Sequence, residues 1–360
     1  MRRSAVVAAS STTSISAPRG DQPVDLSPAA GLLATTGSAA AKSAGAGSCG
    51  AQAPSNGEGR FGGVLSAQAI AASGSCAVHN TSDPANGGPP LIWWGGPVMA
   101  SSTSSPIVVT PIFWNPSGGG HPTSGCTVAS DDTTNIYADG TGYNACLDDE
   151  QLTNEIQRVI DAGGLPQNDY SHIYVMFTPK HVESCYYAGS TLTSSNGCTI
   201  NHHPSARYCA YHSMMGTNWP AYGTIYANMP YPVYHSPVGF TCGTDAGGHG
   251  TIESPNFNGS ATSMDADVEV SPLSHEVMES ITDPNVFNGW FDAIGNENGD
   301  DCAYVYGNGT WTDMGGTPGR FYNQTINTHH YITQEEFSNA DWFHTNGTGG
   351  CVRSESAVSH

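Results

Sequence analysis

Apolar positions along this chain fall into a few short blocks separated by long polar stretches. Leu91-Ile92-Trp93-Trp94 and Pro106-Ile107-Val108-Val109-Thr110-Pro111-Ile112-Phe113-Trp114 are bounded by Gly and Pro and predict strands. Leu152, Ile156, Val159 and Ile160 recur at helical spacing and predict a helix over residues 149–162. Asp148 and Asp149 suit its N-terminus, where backbone N–H groups lack partners, and Gly163-Gly164 ends it. His172-Ile173-Tyr174-Val175-Met176-Phe177 predicts a buried strand, and residues 222–227 another. A last block predicts a helix with Ser271 as N-cap, Pro272 at its first position and Pro284 as its stop.

This order of elements predicts an α/β (α+β) fold with a mixed sheet packed against helices, in the manner of zincin-type proteases. The zincin-like label is an analogy of pattern. Between residues 186 and 251 the only regular element expected is the 222–227 strand, and loops of such length are usually functional or stapled. Residues 1–88, rich in Ala, Ser, Gly and Thr, show no periodicity and offer too little apolar surface to offset ordering entropy. They are expected to be a leader plus a flexible or pro-segment, followed by one domain over 89–353 and a tail over 354–360.

Charge narrows the range of partners. The net charge is -21, with only 10 Lys and Arg, so phosphate backbones and anionic bilayers would repel this chain. No nucleic acid partner is expected, and no run of residues approaches the ~20 apolar positions of a membrane span. Ten cysteines stand far apart without a C-x-x-C pair, which favours disulfides over a zinc ribbon or a redox couple. Spacing does not determine connectivity; neighbours such as Cys126–Cys146 and Cys185–Cys198 are candidate pairs, and Cys49 and Cys76 could close one loop. The cysteines point to a secreted, extracellular protein, in keeping with the charged start Met1-Arg2-Arg3 and with sequons such as Asn258-Gly259-Ser260.

The chemistry concentrates in Ser274-His275-Glu276-Val277-Met278-Glu279, which reads H-E-x-x-E. It differs by one residue from H-E-x-x-H, in which a helix presents two zinc ligands and a general base. Only 11% of the chain is charged, yet Glu276, Glu279, Asp283, Asp292, Glu297, Asp300 and Asp301 follow His275 closely. His275 and Glu279, four apart on a helix, share a face as metal ligands. Glu276 occupies the position of the base that activates water. A third ligand is expected from Glu297 or Asp300, in the Gly-rich turn 295–300, rather than from Asp283, whose place before Pro284 suits a turn. His212, in Arg207-Tyr208-Cys209-Ala210-Tyr211-His212-Ser213, could be a ligand or stabilise an oxyanion, or simply pack beside a Cys209 disulfide. Zinc is the expected metal, with calcium as an alternative at the 292–301 turn, although that turn lacks the D-x-D-x-D-G spacing. The absence of G-x-S-x-G argues against a serine hydrolase.

These segments, with Tyr226-Ala227-Asn228-Met229-Pro230-Tyr231, Thr282-Asp283-Pro284, Gly289-Trp290-Phe291-Asp292 and Gly295-Asn296-Glu297-Asn298-Gly299-Asp300-Asp301-Cys302, resemble the plant EXORDIUM / phosphate-induced protein family, and its microbial relatives most. The resemblance runs in order from about Pro90 to Cys302. It implies a secreted or wall-associated protein, with plant members linked to growth and brassinosteroid responses, and brings no defined catalytic activity. It adds weight to His212, His275, Glu276, Glu279, Glu297 and Asp300. The chain departs from the microbial pattern at Asn298, where that pattern has an apolar residue. The expected function is a secreted zinc metallohydrolase, most like a peptidase acting on a protein or peptide substrate. The alternative is a non-catalytic signalling or cell-wall-associated protein with a structural ion.

Overall fold

The computed structural model describes residues 91–99, 106–114, 125–126, 128, 133–134, 136–137, 139–185, 198–199, 208–218, 222–232, 255–256, 265–286, 289–292, 296–303, 305–306, 312–315, 320–344 and 349–352. The segment 1–88, the tail 354–360, Cys49, Cys76, Cys242 and most of the loops expected between 186 and 251 lie outside the described residues.

The elements run β1 (Ile92–Trp93), β2 (Val108–Phe113), β3 (Ala145–Asp148), α1 (Asp149–Gly163), β4 (His172–Phe177), β5 (Val182–Cys185), β6 (Tyr211–Asn218), β7 (Tyr222–Met229), α2 (Asp265–Thr282) and β8 (Trp290–Phe291). A short 3₁₀ turn (Asp300–Cys302) follows, then β9 (Thr312–Asp313), β10 (Phe321–Tyr322), β11 (Gln324–Ile326), β12 (His329–Tyr331), β13 (Glu336–Phe337), α3 (Asn339–His344) and β14 (Cys351–Val352).

Helix α1 forms where its apolar spacing predicts it. Asp148 is the N-cap and accepts from the Gln151 N–H at 2.8 Å, while the Gln151 side chain accepts from the Asp148 N–H. This reciprocal pair satisfies two otherwise unpaired donors. Gly164 closes the helix in the left-handed conformation, φ 57°, which a glycine adopts without penalty. Leu152, Ile156, Val159 and Ile160 form the buried stripe.

The main sheet has the order β2-β4-β7-β6, with β2, β4 and β7 parallel and β6 antiparallel to β7. Alternation assigns its two faces. Tyr174, Met176, Tyr211 and Tyr226 pack with α1, whereas Ile173, Val175, Ile225 and Ala227 pack with Val277, Leu273 and Ile281 of α2. The protein is thus a mixed α/β structure with one four-stranded sheet between two helices and several two-stranded ribbons. Because His212 pairs with Ala227 across the β6–β7 ladder, it shares the face turned to α2.

Two sequence expectations change. Strand β6 occupies a stretch in which only the 222–227 strand was expected, because its polar composition conceals a strand covered on both faces. Helix α2 starts at Asp265 rather than at Ser271, and Pro272 lies inside it. Pro272 gives no N–H to the turn before it. That turn persists because Asp267 and Val268 are buried and Asp267 accepts from the Asn256 backbone N–H and side-chain amide. Ser271, no longer a cap, accepts from the Gln334 N–H at 3.2 Å.

Disulfides join Cys126–Cys146 and Cys185–Cys198, the neighbour pairs considered from spacing, and Cys302–Cys351, which spacing did not suggest. Cys209 is disulfide-bonded as well.

On the α1 side, the Tyr211 and Tyr226 hydroxyls both donate to Asp149 Oδ1, at 2.7 and 2.6 Å. Burial raises the Asp149 carboxyl to about 6, against the pull of these two bonds. A carboxyl raised in the fold binds its proton more tightly folded than unfolded, so its contribution is present below about pH 4 and is lost as pH rises through about 6. The effect amounts to at most about 3 kcal/mol. Asp149→Asn is expected to shrink the fall in urea midpoint between those pH values. An undiminished fall in the variant would show that other groups carry it.

Candidate metal centre

Three elements converge between the sheet and the C-terminal segment. Helix α2 supplies His275, Glu276 and Glu279, the first and last one turn apart and the middle one beside them. Strand β6 supplies His212, and the turn 296–302 supplies Glu297 and Asp300. His212, His275, Glu276 and Glu279 are all 0% exposed, with Glu297 at 1% and Asp300 at 4%. His212, His275, Glu276, Glu279, Glu297 and Asp300 lie in one buried cluster.

The contacts are close. His275 Nε2 lies 2.8 Å from Glu279 Oε1 and 3.6 Å from Asp300 Oδ1. His212 Nδ1 lies 3.2 Å from Glu276 Oε2 and 3.5 Å from Glu279 Oε2, and its Nε2 lies 3.7 Å from Glu297 Oε1. His212 Nε2 is also 3.3 Å from the Asp283 carbonyl oxygen. A proton on that nitrogen is donated to the carbonyl, while Nδ1 hydrogen-bonds to Glu276 Oε2, so the ring is held from both sides.

At His275 proximity is not hydrogen bonding. Among the described residues neither of its ring nitrogens has a hydrogen-bond partner despite the nearby carboxylates, nor do Glu279 Oε2 and Glu297 Oε1. Buried polar atoms are rarely left so. Donors that avoid each other's hydrogen-bond directions while crowding one point are arranged as ligands are. Four donors at roughly 2.0–2.1 Å around a tetrahedral zinc lie about 3.3 Å from one another, close to the separations here. The donor atoms of His212, Glu276 and Glu279 lie within 4.8 Å of one another, as do those of His275, Glu279 and Asp300. Other compact groups include Cys126, Cys146, Cys185 and Cys198, whose sulfurs are locked in disulfides and offer no thiolate.

Compared with protein-family models, curated proteins and solved structures, this chain has no match. The chemistry of the site therefore rests on its own donors.

Electrostatics match a cation-seeking cluster. Burial lowers the tendency of both histidines to protonate, yet the surrounding carboxylates outweigh it, holding His212 at about 10 and His275 well above the usual range. Burial raises Glu279, but the His275 and His212 charges overcome it and hold it at about 2. Glu297 is pushed well up by burial and by the Glu279 and Asp283 charges, and Asp300 rises to about 7 through burial and Glu279. Glu279 is thus ionised beside two protonated imidazoles, while Glu297 and Asp300 are drawn toward the protonated form.

The surrounding residues fix the turn. The Asp300 N–H donates to Glu279 Oε1 at 3.2 Å, and Gln334 Nε2 donates to the Gly299 carbonyl at 2.9 Å. Asn298 Oδ1 accepts from the Thr282 hydroxyl at 2.9 Å and so ties the turn to the end of α2. Asp283 Oδ1 accepts from the Gly289 N–H at 2.6 Å, the turn role expected for it. Asn296 bridges Asp292 and Asp301, the carboxylates considered for calcium. Glu336, whose carboxylate is buried without a hydrogen bond, acts on the His275 and Glu279 charges from β13. Nothing in the local sequence around Glu336 or Gln334 pointed to the site.

Gly299 has a specific reason to be glycine. A Cβ there would stand 2.7 Å from His275 Cγ, 2.8 Å from its Nδ1 and 2.9 Å from Glu279 Oε1. Gly299→Ala is expected to cost about 1–3 kcal/mol, read as a lower urea midpoint. A variant with the wild-type midpoint would show that the turn has room to shift.

Proposed function

We propose that this chain is a secreted, zinc-dependent hydrolase with a zincin-like arrangement, acting on a peptide or similar carbonyl substrate. The observation that carries the reading is His275: wholly buried, its Nε2 faces two carboxylate oxygens and hydrogen-bonds to neither. An imidazole with two carboxylates is a donor set that can hold zinc. A mixed sheet whose antiparallel edge strand faces an H-E-x-x-E helix supports the zincin comparison. The disulfides support an oxidising, extracellular setting.

In this reading His275, Glu279 and Asp300 hold the ion, which when bound supplies Lewis acidity toward a carbonyl and makes water a better nucleophile at neutral pH. Glu276 carries protons. Burial raises its carboxyl and the His212 hydrogen bond opposes that rise, which keeps it nearer the range useful for a general base. His212 orients Glu276 from β6, 3.2 Å away. Metal content by plasma mass spectrometry, with His275→Ala alongside, tests the ion. Peptide cleavage by wild type and Glu276→Gln tests hydrolysis. Zinc in both proteins and cleavage by neither across a broad peptide library would refute the hydrolase reading.

One observation favours a second reading. The complete burial of His212, His275, Glu276 and Glu279 also suits a structural ion, as in a non-catalytic signalling or wall-associated protein of the EXORDIUM kind. That reading expects the ion to raise stability with no turnover of any peptide.

A further inference from the structure

We infer that the cluster is built for two divalent cations bridged by Glu279, rather than for one. The inference rests on the metal-site reading above and changes one role within it: Glu276 becomes a ligand.

Glu279 is common to both compact donor groups, His275 with Asp300 and His212 with Glu276. Its two oxygens face different partners. Oε1 is 2.8 Å from His275 Nε2, and Oε2 is 3.5 Å from His212 Nδ1. Oε2 is buried and makes no hydrogen bond. Were Glu279 a ligand to a single ion through Oε1, Oε2 would remain a buried acceptor facing a second imidazole and a second carboxylate. A carboxylate whose two oxygens each meet a separate His–carboxylate pair is the bridge of a two-ion site, where ions typically lie about 3.5–4 Å apart.

With Glu276 engaged, Glu297 becomes the carboxylate free to carry protons: its Oε1 is unpartnered, 3.7 Å from His212 Nε2.

The test counts zinc in the full chain and in Glu276→Gln and Asp300→Asn. Manganese(II) electron paramagnetic resonance on the wild type provides a second readout. The expected result is two zinc ions per wild-type chain, one in each variant, and an exchange-coupled manganese spectrum in the wild type alone. One zinc in the wild type, retained by Glu276→Gln, would overturn the pair of ions and leave the single-ion reading intact. Two zinc ions with an uncoupled manganese spectrum would overturn the Glu279 bridge. No zinc in a folded wild type, after reconstitution, would overturn both.

Discussion

On the proposed metal site, Glu279→Gln is expected to weaken zinc binding at least about 100-fold and to remove most of the stabilisation by zinc. The side chain keeps its length and can still hydrogen-bond, so the fold should survive, but the charge is lost. Glu279 is the residue to which both histidines turn, with His275 at 2.8 Å and His212 at 3.5 Å. Removing a direct ligand should weaken affinity at least about 100-fold, beyond what loss of an outer partner costs. An ion present at a thousand times its dissociation constant stabilises the folded state by about 4 kcal/mol, or roughly 10 °C in melting temperature for a domain of this size. Calorimetry with and without added zinc should therefore show that shift in the wild type and at most about a third of it in Glu279→Gln. An equal zinc-induced shift in both proteins would remove Glu279 from the ligand set.

The second large effect is expected from Cys302→Ala combined with Cys351→Ala. This disulfide joins the end of the 3₁₀ turn to β14 across a sequence separation of 49. Loop-closure entropy for such a span is about 4 kcal/mol. The consequence also reaches the proposed metal centre, since Asp300 and Glu297 lie just before Cys302, and β13, which pairs with β14, carries Glu336. The double variant should melt well below the wild type and bind zinc more weakly, even below its melting temperature. Adding reductant to the wild type should reproduce both changes. Lowered stability with unchanged zinc affinity would mean that the hydrogen bonds from Gln334 and Thr282 hold the turn without the disulfide.

Much of this was legible from residue pattern. The α1 boundaries follow from Asp148, the spacing of Leu152 to Ile160 and Gly164. The β2 and β4 strands follow from apolar runs between breakers. The H-E-x-x-E spacing placed His275 and Glu279 on one helix face, and the low charge of the chain made the seven carboxylates near them conspicuous. The start of α2 was misplaced because Pro272 carries a local preference for the first helical turn, whereas burial of Asp267 and Val268 extends the helix past it. Strand β6 was missed because Tyr211-His212-Ser213 presents a polar residue to each buried face, so no alternation is visible.

The sequence by itself determined α1, β2, β4 and β7, and that His275, Glu276 and Glu279 sit together on one helix, because helical and strand periods and capping are local properties. Tertiary structure alone decided the rest. The antiparallel pairing of β6 with β7 turned His212 toward Glu276, and Cys302–Cys351 with Gln334 positioned the Asp300 turn over His275. The choice between Glu297 and Asp300, and the two-sided engagement of Glu279, depend on distances between segments separated by tens of residues. Those distances are set by sheet register, disulfide closure and burial, none of which a local pattern encodes.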